Sequence, residues 1–572
     1  MSRTIRSLLS RLPPSASRLP SHGLLIVGVF ALAACAAPPR PPAPPPGGEP
    51  AALITADVLA APIRFLADDA LAGRAPGTEG DYLSRLYIST TMQLIGLRPG
   101  AGGGTWEQPF ELVGITSLAP DQWTFRRDGR SLALENRSDF VAVSGVDQPQ
   151  AALDGAEVVF VGYGIQAPEY QWDDFKGADL RGKVLLMLNN DPDWDPDLFA
   201  GKRRLYYGRW TYKYESAARQ GAVGAIVIHT TESAGYPWQT VQTSWGGENS
   251  RLPGSTGREL QVHAWITADA AARLVSLAGM DLTALVEQAR RRDFEPVALG
   301  ISTSLRLTTH RRSYETANVV GVIVGSDPVL RAQTIVYTAH HDHLGMRSDG
   351  GPDRIYNGAL DNASGVAEIL AVARAFASLP QPPRRSLLFV AVAAEEQGLL
   401  GSAYYVAHPT VAPAQMVANL NFDGANIWGR TTDVVAVGYG KTTLDRVVAS
   451  AAASQGRVLV DEPFPERGHF YRSDQFNFAK IGVPAVLLES GVTFVGRPEG
   501  WGREQVDAWT LQHYHQPSDE LTPDWNFDGM VEDARLAFWV GFALAESSDM
   551  PAWLPGDEFE AVRKRALGAS GS

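Results

Sequence analysis

Strand-like and helix-like segments alternate from Ala317 onward, and the alternation predicts an α/β protein. Its expected form is a mostly parallel mixed sheet flanked by helices, with a β-rich domain inserted into it. Three observations carry this prediction. The apolar runs Ile335–Ala339, Leu387–Ala393, Val417–Asn421 and Val483–Leu488 alternate with helical patterns at Ser364–Ala377, Ser402–Ala407 and Leu444–Ala453. Such spacing requires crossover connections, which build parallel sheets covered on both faces. Between about Gln150 and Leu299 the character differs. There Val158–Val161, Val184–Met187 and Ala225–Ile228 read as short buried strands between glycine-rich turns. Finally, 572 residues exceed what one core holds, since a domain usually takes ~100–200.

The first segment reads as a targeting signal over residues 1–34. Arg3, Arg6, Arg11 and Arg18 precede the apolar run Leu24 to Ala34, which is shorter than the ~20 residues that span a bilayer. It ends at Leu32-Ala33-Ala34-Cys35, which resembles the lipobox of bacterial lipoproteins, and Cys35 is the only cysteine of the chain. The resemblance implies membrane attachment through a lipidated Cys35 in the bacterial cell envelope. By the same resemblance, Ala36 rather than Asp after the cysteine implies the periplasmic face of the outer membrane. A plain secretory signal with an incidental cysteine is the alternative. Residues 35–51 are rich in Pro, Ala and Gly and predict a semi-stiff polyproline II tether. Helical periodicity follows through Ile54, Leu59, Ile63 and Leu66 and resumes at Tyr82, Leu86, Ile88 and Leu94.

Composition is that of a globular protein, with 45% hydrophobic and 20% charged residues. A formal net charge of −13 argues against a nucleic-acid partner. The short basic runs Lys202–Arg204 and Arg290–Arg292 read as solvated faces. In the β-rich stretch, Gly177-Ala178-Asp179-Leu180-Arg181-Gly182-Lys183 leads into a strand, and a helix at Glu215–Ala222 precedes the next one. This arrangement resembles the protease-associated domain often inserted into exopeptidases. The expected division is therefore residues 52–140 with 305–555 as the main domain, 141–304 as the insert, and 556–572 as a C-terminal tail.

The chemistry concentrates between Tyr337 and Asp519. His340-His341-Asp342-His343, Asp361-Asn362, Glu395-Glu396, Asp423 and Tyr514-His515 occur there in order. His340, Glu395, Glu396 and Asp423 each follow the C-terminal end of a predicted strand, and Asp361 precedes a predicted helix. Open α/β sheets bind ligands at that edge. Imidazoles and carboxylates in this number suit a pair of zinc-like divalent ions. Two such ions, about 3.5–4 Å apart, need a bridging carboxylate.

These motifs resemble those of the co-catalytic di-zinc aminopeptidases, the group of aminopeptidase Y and the bacterial leucyl aminopeptidases. The residues that carry the likeness are His340-His341-Asp342-His343-Leu344-Gly345, Asp361-Asn362-Ala363-Ser364-Gly365, Ala394-Glu395-Glu396-Gln397-Gly398, Asn421-Phe422-Asp423 and Tyr514-His515-Gln516-Pro517-Ser518-Asp519. Leu71-Ala72-Gly73-Arg74 and Arg472-Ser473-Asp474 agree with it. The resemblance implies a zinc exopeptidase fold, two zinc ions per subunit and peptide substrates shortened from the N-terminus. By the same resemblance Asp361 would bridge the metals, His340 and Asp423 would complete one site, and Glu396 and His515 the other. Glu395 would be the general base, Tyr514 would donate to the tetrahedral oxyanion, and Asp342 would hydrogen-bond the far nitrogen of His340. A cis Asp361–Asn362 peptide is also implied.

Other residues read more plainly. His341 is expected to pack or point away, His343 to be structural or a support to the ligands, and His408 and His513 to lie on loops. Arg472, Ser473 and Asp474 either touch the substrate or anchor a loop. The run Asn189–Asp195 lacks the spacing of an EF-hand and reads as an exposed loop rather than a calcium site. Tyr206–Tyr212 forms either a lid or packing. A carboxypeptidase or dipeptidase of the same group, a single-zinc glutaminyl cyclase and a non-catalytic receptor-like homologue are the alternatives. The filled ligand set argues against the last two.

Overall fold

The computed structural model describes residues 50–254, 259–346 and 351–569. The leader with Cys35 and the tether as far as Glu49 lie outside the described residues. Pro50–Leu53 forms a 3-10 turn with Pro50 and Ala51 buried, so the packed structure takes in the last residues assigned to the tether.

Two helices lead into the α/β lobe. Thr55 caps the helix Ala56–Leu66 by accepting from the Val58 amide, and the Leu59, Ile63 and Leu66 face is buried. Thr78 caps Glu79–Ile95 in the same way, and Gly96 at φ 102° ends it. Both pack beside the helix Ser364–Ala377, twelve of whose fourteen residues are buried.

Four mutually parallel strands form the centre of this lobe. Thr334–His340 lies between Ser386–Val392 and Met416–Asn421, and Ala485–Ser490 follows on the far side of Met416–Asn421. Pairing of Thr334 with Ser386 and of His340 with Val392 sets the register. Every side chain of Thr334–His340 and Ser386–Val392 is buried, as a sheet covered by helices on both faces demands. Antiparallel strands flank this centre, with Asp433–Val437 on one side and the end of the long strand Val297–Ile323 on the other. The observed fold is thus a mixed, mainly parallel sheet flanked by helices.

The long strand continues into a second, β-rich lobe. Its first half pairs with Gln150–Phe160, which lies parallel to Val184–Leu188. Gly224–His229 and Val262–Thr267 extend the parallel series. The core of this lobe also takes in Trp123, Phe125 and Leu134 from a hairpin, and Phe140 from the next strand, all upstream of the 141 boundary. Alternating apolar side chains on Gln122–Arg127 and Arg130–Glu135 give that hairpin one buried face, so it joins the nearest sheet. At the other end, residues of the expected tail fold. Glu560–Ala569 is a helix, with Phe559 in an aromatic cluster and Arg563 donating to the carbonyls of Pro413 and Met416.

Candidate metal centre

The parallel strands end at one edge, and the sequence turns there bring the acids and imidazoles together. His340 is the last residue of Thr334–His340. Glu395 and Glu396 stand on the turn after Ser386–Val392, entered through Ala394 at φ 56°. Asp423 follows Met416–Asn421. Asp361 and Asn362 precede the helix Ser364–Ala377 and are joined by a cis peptide bond. His515 arrives from the loop after the helix Trp501–Gln512 at φ 57°. Two non-glycine residues in left-handed conformations at one site represent backbone strain held by the surrounding packing.

Asp361 lies between two clusters. Its Oδ1 is 3.3 Å from His340 Nε2, which is also 3.1 Å from Asp423 Oδ1 and 4.0 Å from Glu395 Oε2. Its Oδ2 is 3.2 Å from His515 Nε2, itself 3.1 Å from Glu396 Oε2. Among the described residues, His340, Asp361 and Asp423 form one group able to hold a metal ion, and His343, Asp361 and Glu396 form another. The sequence-predicted ligands therefore meet in one place, joined by His343. The His343 Nδ1 lies 2.6 Å from Glu396 Oε1 without hydrogen-bonding geometry, and both His343 nitrogens and that oxygen lack a hydrogen bond among the described residues. Orphaned buried donors and acceptors of this kind are costly, and their chemistry is that of metal ligands.

The electrostatics point the same way. Burial pushes the Glu395 carboxyl well above its ordinary range, with Asp423 and Glu396 adding to the rise and His340 opposing it. Burial works against a charged His515, yet the Glu396 and Asp361 carboxylates hold its imidazole up at about 10. So many acids sharing so few cations is an arrangement that divalent ions would neutralise. The donor set fits such ions.

Supporting contacts fix these side chains. His340 Nδ1 lies 3.2 Å from the carbonyl oxygen of Asp342, a pairing in which the ring nitrogen donates, and 3.7 Å from the Asp342 carboxylate. That carboxylate accepts instead from the Glu395 and Glu396 amides at 3.1 and 3.3 Å. Asp519 accepts from the Leu360 and Asp361 amides at 2.9 and 3.0 Å. Buried Arg74 donates to the carbonyls of His341 and Gly358. Gly358, at φ 58°, admits a close approach: a Cβ there would meet the Asp361 carbonyl oxygen at 2.3 Å. His341 turns away, donating from Nε2 to the Ala317 carbonyl at 3.2 Å. Asn421 donates to Ser473 Oγ at 2.8 Å, so Ser473 anchors its loop, whereas Arg472 donates to Tyr514 Oη at 3.3 Å beside the centre. Tyr206, Arg209 and Trp210 line the adjoining groove.

One positioning residue has no local signal in the sequence. Ser244 Oγ lies 2.7 Å from His515 Nδ1, and Ser244 belongs to the helix Trp238–Trp245 of the β-rich lobe. Gln239 of the same helix donates to Gln516 Oε1 at 2.8 Å. The β-rich lobe thus grips the loop that carries His515.

Residues 318–539 match the model of Peptidase family M28. The chain is 30% identical over 209 residues to leupeptin-inactivating enzyme 1 of Streptomyces exfoliatus, covering 36% of this chain and 44% of that protein. It is 28% identical over 212 residues to aminopeptidase YwaD of Bacillus subtilis (strain 168), covering 36% and 39%. It therefore spans less than half the length of either relative. In fold it is similar to an aminopeptidase from Aneurinibacillus sp. strain AM-1, with a TM-score of 0.52, 19% identity and coverage of 87% and 96%.

Proposed function

We propose, from the Peptidase family M28 segment at residues 318–539, that this chain is a zinc-dependent exopeptidase removing N-terminal residues from peptides. The observation that carries the reading is the placement of Asp361, whose two carboxylate oxygens face His340 and His515 separately. His340 and Asp423 would hold one ion and Glu396 and His515 the other, with Asp361 shared and His343 beside Glu396. Zinc ions there would polarise the scissile carbonyl and acidify water.

The rest of the chemistry belongs to the chain. Glu395 accepts the proton of the attacking water on its carboxylate and returns it to the leaving amine nitrogen. Asp342 keeps Glu395 in place through its amide and orients His340 through its own carbonyl. Tyr514 Oη accepts from Arg472, so its own proton stays available to the developing oxyanion. The β-rich lobe, read as a protease-associated insert, holds His515 through Ser244. Residues 1–34 act as a lipoprotein signal and Cys35 as the lipid anchor, on the strength of the lipobox likeness. No helix among the described residues is long and apolar enough to cross a membrane.

Chelation followed by zinc add-back tests the reading, with aminoacyl 4-nitroanilides compared with their N-acetylated forms. Activity should vanish with the chelator, return with zinc and be confined to free amines. Equal cleavage of the acetylated forms would refute the aminopeptidase assignment.

A further inference from the structure

The centre opens into a cavity of about 240 Å³, lined by Asp361, Glu395, Asp423, Tyr514 and His515 at the reacting groups. The same cavity is lined by Glu368, Glu489 and Asp533. Nothing in the chemistry above uses these three acids.

Glu368 stands in the middle of the apolar helix Ser364–Ala377 and is only 3% exposed. Its carboxyl makes no hydrogen bond and no ion pair among the described residues. Asp533 is different, because Arg457 Nη1 lies 2.7 Å from its Oδ1 and Ser490 donates to its other oxygen. The nearest charged partner available to Glu489 is His469, 3.9 Å away. Burial and the neighbouring arginines hold that imidazole well below its ordinary range, so it brings little charge. Arg467 also lines the cavity, but it pairs with Asp507 and lies over the Phe464 ring. Arg472, the other arginine on the wall, donates to Tyr514. Glu368 therefore faces the cavity with no cation acting on it, and Glu489 feels Arg467 without an ion pair to it. Burial pushes Glu368 well up, and partial burial with the like charges of Glu462 and Asp423 carries Glu489 to about 8 against the pull of Arg467.

A free metal ion does not explain them. Among the described residues, the donors close enough to hold an ion are those of the centre, and Glu368 and Glu489 are not included. The walls favour an amphipathic guest instead. Trp428, Phe464, Phe494 and Trp509 line the cavity, and such rings accept the alkyl stem of a lysine or arginine and attract its charged head.

We propose that this cavity receives the side chain of the substrate's N-terminal residue, and that Glu368 with Glu489 selects a long basic one, lysine or arginine. The inference rests on the exopeptidase reading and adds the substrate class to it. The buried Glu368 carboxyl binds the cationic side chain and rejects its neutral isostere, which would leave that carboxyl unpaired. The partly exposed Glu489 adds its charge at the mouth of the cavity.

The test uses the full zinc-loaded chain with lysyl-, arginyl-, norleucyl- and leucyl-4-nitroanilide, norleucine having the lysine stem without its cation. The kcat/KM for lysine should exceed that for norleucine by about tenfold or more. Glu368→Gln and Glu489→Gln, both close in shape to the native residues, should each pull that ratio down at least several-fold. A ratio near one in the native chain overturns the proposal, as does a native ratio untouched by both variants. If none of the four substrates is cleaved, the exopeptidase reading falls separately. Calorimetry with lysinamide and norleucinamide then decides the cavity: tighter lysinamide binding supports the proposal, and equal binding overturns it.

Discussion

Both lobes bury charge, but they treat it differently. In the β-rich lobe, Asp174 accepts from the Ile165 amide and from Trp172 Nε1, each at 2.9 Å. Fully buried Lys213 donates to the carbonyls of Tyr163 and Asn190, both at 2.6 Å. Asp191, from the run expected to be an exposed loop, is buried beside them and accepts from the Leu205 amide. Local donors and acceptors answer most of this charge, although Asp191 Oδ1 and two nitrogens of Arg204 are left without a hydrogen bond. In the α/β lobe, His343 and Glu396 keep buried atoms with no hydrogen bond. Glu368 there feels burial and the like charge of Asp533, with no cation to oppose them. Burial of charge therefore does not mark a site. A lone unsatisfied atom does not either; several acids and imidazoles gathered unsatisfied at one sheet edge do, because a ligand there can offset their desolvation together.

The sharpest way to break this comparison is to remove one acid from each lobe. Asp361→Ala should strip bound zinc, read by elemental analysis, and lower turnover by more than about a thousandfold. Asp174→Asn should leave zinc content unchanged and instead cost stability, on the order of 1–3 kcal/mol, by upsetting a satisfied buried acceptor. Glu395→Gln should keep its zinc and lose about 10²–10⁴ in kcat, which separates holding the ions from moving the proton. Substantial residual turnover would remove Glu395 as the base. Ser244→Ala should weaken zinc binding about 10–100-fold, detected by competition with a chromogenic chelator, because the β-rich lobe then no longer orients His515.

At neutral pH the smallest effect belongs to His229 in the β-rich lobe, whose contribution shows only on acidification. Burial lowers its imidazole to about 4, and its Nε2 lies 3.1 Å from the Tyr236 carbonyl. Below its unfolded pKa of ~6.5 the unfolded chain binds the extra proton, so this contribution to stability is full above that pH and is lost as pH falls toward 4. The slope should be about 1.4 kcal/mol per pH unit. His229→Asn should flatten it in denaturation followed by the fluorescence of Trp238 and Trp265, which flank the ring.

Much of the α/β lobe was legible because its strands are apolar throughout. Leu387–Ala393 reads as a buried strand and differs from the observed Ser386–Val392 by one residue at each end. Once the strands are placed, the edge where His340, Glu395 and Asp423 gather follows from parallel topology. What escaped was set by distant contacts. Ser244 carries no local mark, since its partner is 271 residues away. The hairpin holding Trp123 and Leu134 joins the insert's core through pairing with the long strand, which no local pattern announces. Asp342 reads as a carboxylate partner of His340, whereas its main-chain carbonyl is nearer and its carboxylate caps the Glu395–Glu396 turn. Glu368 had a visible signal: one acid in a helix otherwise built of apolar and small residues, apart from Arg374 near its end.

The central claim is that Asp361 sits between two cation sites. Anomalous scattering measured at the zinc edge from crystals of the zinc-loaded protein tests it most directly. Two peaks are expected, one beside His340 and Asp423 and one beside Glu396 and His515, with Asp361 in contact with both. A single peak, or peaks away from Asp361, would contradict it.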